Sequence, residues 1–66
     1  MQIEVNGDSI ELAEGATLVD LLAQMELTGK RVAIELNLEI IPRSEHGQTE
    51  LKSGDKLEVV HAIGGG

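Results

Sequence analysis

The sequence predicts an α+β fold: a mixed four- to five-stranded sheet with one main helix packed on one face. Three observations carry that expectation. Two stretches of two-residue period flank an Asn-Gly pair, one stretch of helical spacing follows, and three more strand-like stretches occupy the second half.

Gln2-Ile3-Glu4-Val5 and Ser9-Ile10-Glu11-Leu12 alternate polar and apolar residues, the period of a strand with one buried face. Asn6-Gly7 lies between them. It is the strongest short hairpin signal, because both central residues of a type I′ turn need positive φ. Glu14-Gly15-Ala16 breaks the alternation. Thr17 then suits a helix N-cap, and Asp20 stands in the position of a capping-box partner, its charge favoured by the positive end of the helix dipole. Leu18, Leu21, Leu22 and Met25 recur at spacings of three and four, making one apolar stripe. Thr28-Gly29 supplies the stop, with Gly29 fitted to the left-handed position past a helix end. These limits predict a helix of about nine or ten residues.

Val32, Ile34 and Leu36 alternate with Ala33, Glu35 and Asn37 in a third strand. Leu38 to Ile41 is apolar but for Glu39 and stops at Pro42, which marks a short edge strand because proline cannot donate to a central ladder. Arg43 to Lys52 reads as polar and irregular, and Ser53-Gly54-Asp55 as a turn. Leu57, Val59, His61 and Ile63 then share one face of a last strand, with Val60 and Ala62 on the other. A hairpin, a crossing helix and further strands follow the element order of the small β-grasp fold. Residues 1–63 are expected to form that domain and residues 64–66 a flexible glycine tail.

Composition removes whole classes of function. Twelve Asp and Glu against five Lys and Arg give a net charge of −7, and the aromatic fraction is 0%. Such a chain repels a phosphate backbone and has no ring on which a base could stack, so no nucleic-acid partner is expected. No apolar run approaches the roughly 18 residues of a membrane span, and no signal-peptide pattern opens the chain. No membrane partner is expected, and the lack of cysteine fits the cytoplasm. His46 and His61 are the only histidines, and the scattered carboxylates lack metal-ligand spacing, so no metal site is expected. The core must be built from 20 Ile, Leu and Val residues. A single domain this small buries only about 60% of its unfolded surface, which leaves no room for a deep active site. An acidic surface suits a partner with a basic docking face.

The feature that carries chemistry is Gly64-Gly65-Gly66. A glycine run has no side chain to pack and can enter a passage too narrow for other residues. It follows directly on a strong strand, so a rigid body is expected to present a thin thread ending in a carboxylate. That carboxylate is the one group suited to activation by another protein, which places the function at Gly66. The competing reading is a frayed terminus or an expression scar. It is the weaker one, since the chain opens at Met1 with no tag and shows a complete β-grasp order.

Over its whole length the chain resembles the ThiS family, the sulfur carriers of thiamine biosynthesis, which are ubiquitin-like β-grasp proteins ending in Gly-Gly. The residues that carry the resemblance are Gly15, Thr17, Leu21, Leu22, Val32-Ala33 and Asn37, then Pro42-Arg43, Leu51, Gly54-Asp55 and the run from Glu58 to Gly66. Only the terminal Gly-Gly is chemically diagnostic. The chain departs from the family pattern at Leu38, where glycine is usual, and at His46, where tryptophan is common. The resemblance implies a carrier that is not itself an enzyme and binds no cofactor. A ubiquitin-activating-like adenylyltransferase uses ATP to convert the Gly66 carboxylate into an acyl-adenylate. Sulfur from a cysteine desulfurase or related donor then displaces AMP and leaves a thiocarboxylate. Thiazole synthase takes that sulfur into the thiazole ring, with Gly64 and Gly65 threading the tail into each partner.

Other residues are weighed against plainer roles. His61 is expected to be a partly buried strand histidine with one hydrogen bond, because no neighbouring acid, nucleophile or metal cluster supports proton transfer. Val60, Ala62 and Ile63 form either a docking patch beside the tail or ordinary scattered surface apolar residues. Arg43 pairs with an acidic neighbour or with a partner carboxylate. The small subunit of molybdopterin synthase and a carrier for transfer-RNA thiolation are the alternatives of the same chemistry. A ubiquitin-like protein modifier and a passive interaction module are alternatives of other classes.

Overall fold

The computed structural model describes residues 1–61. They form β1 (Gln2–Val5), β2 (Asp8–Glu11), α1 (Leu18–Gln24), β3 (Val32–Leu36), β4 (Glu39–Ile41), a 3-10 helix (Arg43–Gln48) and β5 (Lys56–His61). The five strands make one mixed sheet in the order β2-β1-β5-β3-β4. β1 runs parallel to β5, and the other neighbours are antiparallel. The predicted α+β architecture with one main helix is therefore observed. β5, the last strand described, lies at the centre of the sheet.

Asn6 and Gly7 have φ of 52° and 87°, and Val5 pairs with Asp8 across them, as a type I′ hairpin requires. A second hairpin of the same kind joins β3 to β4. Asn37 and Leu38 have φ of 50° and 73°, with Leu36 paired to Glu39. Leu38, expected in the edge strand, is thus a turn residue instead. The two-residue turn must be closed before β4 can pair, which leaves the strand only Glu39–Ile41.

Thr17 caps α1 through the expected capping box: its backbone N–H donates to Asp20 Oδ2 at 2.8 Å, and the Asp20 N–H donates to Thr17 Oγ1 at 3.4 Å. The helix is seven residues long, shorter than its spacing suggested. It ends in a Schellman motif that Glu26 provides rather than Gly29. Glu26 adopts φ 61°, its N–H donates to Ala23 O at 3.0 Å, and the Leu27 N–H donates to Leu22 O at 2.8 Å. These are the two bonds that satisfy the last carbonyls of a helix closed by a left-handed residue. Gly29, at φ 79°, instead serves a following turn closed by Lys30 N–H to Leu27 O at 2.9 Å.

Leu18, Leu21 and Leu22 of α1 pack on Ile3, Val5, Ile34, Leu57 and Val59 from the inner face of the sheet. Leu12, Ala16 and Leu51 complete the core. Leu51 comes from the stretch expected to be irregular, and so does the 3-10 helix. Its polar sequence carries no apolar period, yet it buries one side chain, His46, whose Nε2 lies 3.1 Å from Ile41 O. No helix of the described residues is long and apolar enough to cross a membrane.

Candidate functional site

The site is organised around β5, because this strand leads into the glycine tail. Lys56 and Leu57 pair with Glu4 and Val5 of β1 on one side, and Leu57 to His61 pair with β3 on the other. Leu57 and Val59 point into the core, while Val60 is 63% exposed on the outer face. Ala62, Ile63, Gly64, Gly65 and Gly66 lie outside the described residues. Of the expected docking residues, Val60 alone is therefore placed, and it faces away from the helix as the alternation required.

Register supplies companions that the sequence reading missed. Ala33 is directly opposite Val60, and Ile40 is opposite Glu35. Ala33, Ile40 and Val60 therefore line one shallow cleft of about 120 Å³ together with Ile34, Glu35 and Glu58. Ile40 is 73% exposed. Exposed aliphatic side chains grouped on one sheet face are the usual composition of an interaction surface. Glu35 and Glu58 face each other across β3 and β5, a like-charge pairing that disfavours the isolated sheet. Knowing the pairing of β3 with β4 would have revealed the patch, but the short stretch from Leu38 to Ile41, apolar except at Glu39, does not show which side chains face outward.

His61 is exposed rather than partly buried. It pairs with Val32 beyond Val59, the last buried position of the strand, so the core ends before reaching it. Arg43 is exposed and makes no ion pair among the described residues. His46 is buried in the 3-10 helix, with Nε2 beside the backbone carbonyl of Ile41. Among the described residues no group of three or more His, Cys, Asp or Glu is placed to hold a metal.

Asparagine side chains at two turns fix β5 lengthwise. The Lys56 N–H donates to Asn37 Oδ1 at 3.1 Å near the start of the strand. Further along, the Val59 N–H donates to Asn6 Oδ1 at 2.9 Å, and Asn6 Nδ2 donates to Val59 O at 3.1 Å. Sequence reading treated both asparagines only as turn or family positions.

A small mixed sheet clamped on one helix, with its central strand running to a Gly-Gly terminus, defines a ubiquitin-like carrier of the β-grasp class. The ThiS family model matches residues 2–66. The chain belongs to the ThiS family, the sulfur carrier proteins of thiamine biosynthesis. It is 37% identical over 65 residues to the sulfur carrier protein ThiS of Bacillus subtilis, covering 97% of this chain and 98% of that one. The crystal structure of the thiamine biosynthesis protein ThiS from Geobacter metallireducens superposes with a TM-score of 0.82 at 32% identity, covering 100% of both chains. The chain is also 39% identical over 66 residues to a thiazole synthase of Paramagnetospirillum magneticum, of which it spans only 20%.

Proposed function

We propose that the Gly66 carboxylate is the group that carries sulfur. A carboxylate is a poor acyl donor until one oxygen becomes part of a good leaving group. An adenylyltransferase of the ubiquitin-activating kind supplies this by letting the carboxylate attack the α-phosphorus of ATP, with release of pyrophosphate. A persulfide derived from a cysteine desulfurase then attacks the acyl carbon and expels AMP. Cleavage of the remaining S–S bond by a thiol leaves the thiocarboxylate, which thiazole synthase consumes in forming the thiazole of thiamine. The carrier acts as co-substrate of both enzymes in the cytoplasm, with ATP bound by the partner.

The observation that carries this reading is the placement of β5: the strand at the centre of the sheet is followed in the sequence, after Ala62-Ile63, by three glycines. Gly64 and Gly65 pass through narrow partner channels because they lack side chains. Val60, with Ala33 and Ile40 beside it and Ala62 and Ile63 following, is the docking surface. Family membership supports the carrier chemistry. The thiazole synthases that contain a region similar to this whole chain support thiazole synthase as the partner that receives the sulfur.

The test is intact mass after incubation with soluble host extract, ATP and a sulfur source, followed by iodoacetamide. Alkylation is required because exchange of oxygen for sulfur adds nearly the mass of one methionine oxidation. The expected product is an ATP-dependent alkylated species mapped to Gly66. Deletion of Gly65-Gly66 should preserve the fold and abolish that species. An unchanged mass in an extract that thiolates a known carrier overturns the reading, and covalent attachment to other proteins instead identifies a modifier.

A further inference from the structure

The parallel partner of β5 leaves it early. β1 turns away after Val5, and the Asn6 N–H makes the last backbone bond to β5, to Leu57 O at 2.9 Å. The Asn6 side chain then does what two more residues of strand would do. Its amide closes a ring with both backbone groups of Val59, at 2.9 and 3.1 Å. Among the described residues Asn6 is the last group to bond β5 on that side. Backbone groups alternate in direction along a strand, so those of Val60 point to β3 and those of His61 back to the side β1 has vacated.

We propose that Asn6 is a positioning residue for sulfur transfer: among the described residues its amide alone holds β5 on the β1 side beyond Leu57, and so helps to fix the strand from which the chain continues to Gly66. The inference rests on the reading of Gly66 as the activated group. Gly66 lies seven residues beyond Val59, a span of at most about 25 Å when extended. A partner docked on the outer face meets a strand secured on both sides as far as Val59 only while the amide is in place; beyond it β5 pairs with β3 alone, as far as His61. Without the amide, the β1 side of the strand is unsecured beyond Leu57. The end of β5 then rests on β3 alone and takes a wider range of positions, so fewer docked complexes place the carboxylate where it can react.

Asn6→Gly separates this role from the turn, because glycine adopts the same positive φ while removing the amide. Asn37→Gly is the matched control, since it removes a comparable grip from the opposite end of β5. Initial rates of iodoacetamide-trapped thiocarboxylate formation are measured against carrier concentration in soluble host extract with ATP and cysteine. Amide exchange of Val59 is followed in the free protein by NMR. For Asn6→Gly the expected result is Val59 exchange faster by about tenfold and a maximum rate lower by about three- to tenfold, at an unchanged half-saturating concentration. Partial unfolding alone gives the opposite split: less folded carrier raises the apparent half-saturating concentration and leaves the maximum rate intact. Asn37→Gly should retain the wild-type maximum rate.

A wild-type maximum rate for Asn6→Gly, or equal losses in both variants, overturns the proposal. If the wild-type carrier itself forms no thiocarboxylate, the Gly66 reading fails. The exchange result then stands alone, and unchanged Val59 exchange in Asn6→Gly refutes the hold on the strand.

Discussion

Replacing Leu38 by glycine should stabilise the protein, although it removes a large apolar side chain. Leu38 holds φ 73° in the β3–β4 turn and is 90% exposed, so almost no burial is forfeited. A left-handed backbone costs an L-residue about 1–2 kcal/mol. Glycine relieves that strain but gives the unfolded chain about 0.5–1 kcal/mol more conformational entropy to lose. The net gain is about 0.5–1 kcal/mol, and in a domain of this size it raises the unfolding midpoint by about 2–8 °C. Thermal unfolding followed by far-ultraviolet circular dichroism is the suitable assay, because the chain has no aromatic residue to report by fluorescence. Leu38→Ala is the control, since it removes the side chain but keeps the penalty for positive φ. A midpoint that fails to rise in Leu38→Gly, or rises equally in Leu38→Ala, refutes the assignment of strain to this turn.

Leu21 is fully buried, so Leu21→Ala should cost about 2–5 kcal/mol against a total near 3–10 kcal/mol for a chain of this length; a loss under about 1 kcal/mol in urea unfolding contradicts the described core. The Met1 ammonium donates to Glu11 Oε2 at 2.8 Å, and this bond, with the charges of Glu11 and Glu14, raises its pKa above 8.0 while desolvation opposes the shift. Because the folded value is the higher one, its stabilisation is complete below the unfolded pKa of 8.0 and is lost as pH rises through the folded value. Wild type should lose more stability than Glu11→Gln between about pH 7 and about pH 10, and parallel curves for the two proteins exclude the linkage. Val60→Gln should change stability by less than about 0.5 kcal/mol while raising the half-saturating concentration for thiocarboxylate formation; an unchanged value removes Val60 from the docking surface.

What the sequence made legible was local. Asn6-Gly7 announces its turn because glycine marks positive φ, and Thr17 announces the helix start through its side-chain chemistry. Asn37-Leu38 makes the same turn without a glycine, so an apolar pattern there reads as strand. The helix end was misplaced for the same reason, since Glu26 occupies the left-handed position that composition assigns to Gly29. The 3-10 helix left no signal because one buried histidine in a polar run has no period. At the site, Val60 was found by alternation. Ala33 and Ile40 required the register between strands, and the link from Asn6 to Val59 spans 53 positions, which no local pattern encodes.

The central place of β5 also bears on how the protein is made. Until β5 is synthesised, the β1–β2 and β3–β4 hairpins have no strand between them, since neither borders the other in the sheet. A chain halted on the ribosome before Lys56 has two separated ribbons and lacks Leu57 and Val59 from its inner sheet face, and ribbons of this size are marginal alone. Folding therefore waits for the segment nearest the three terminal glycines. Incomplete products remain open to proteases, and partners that recognise the assembled sheet are spared competition from chains that have nothing to deliver.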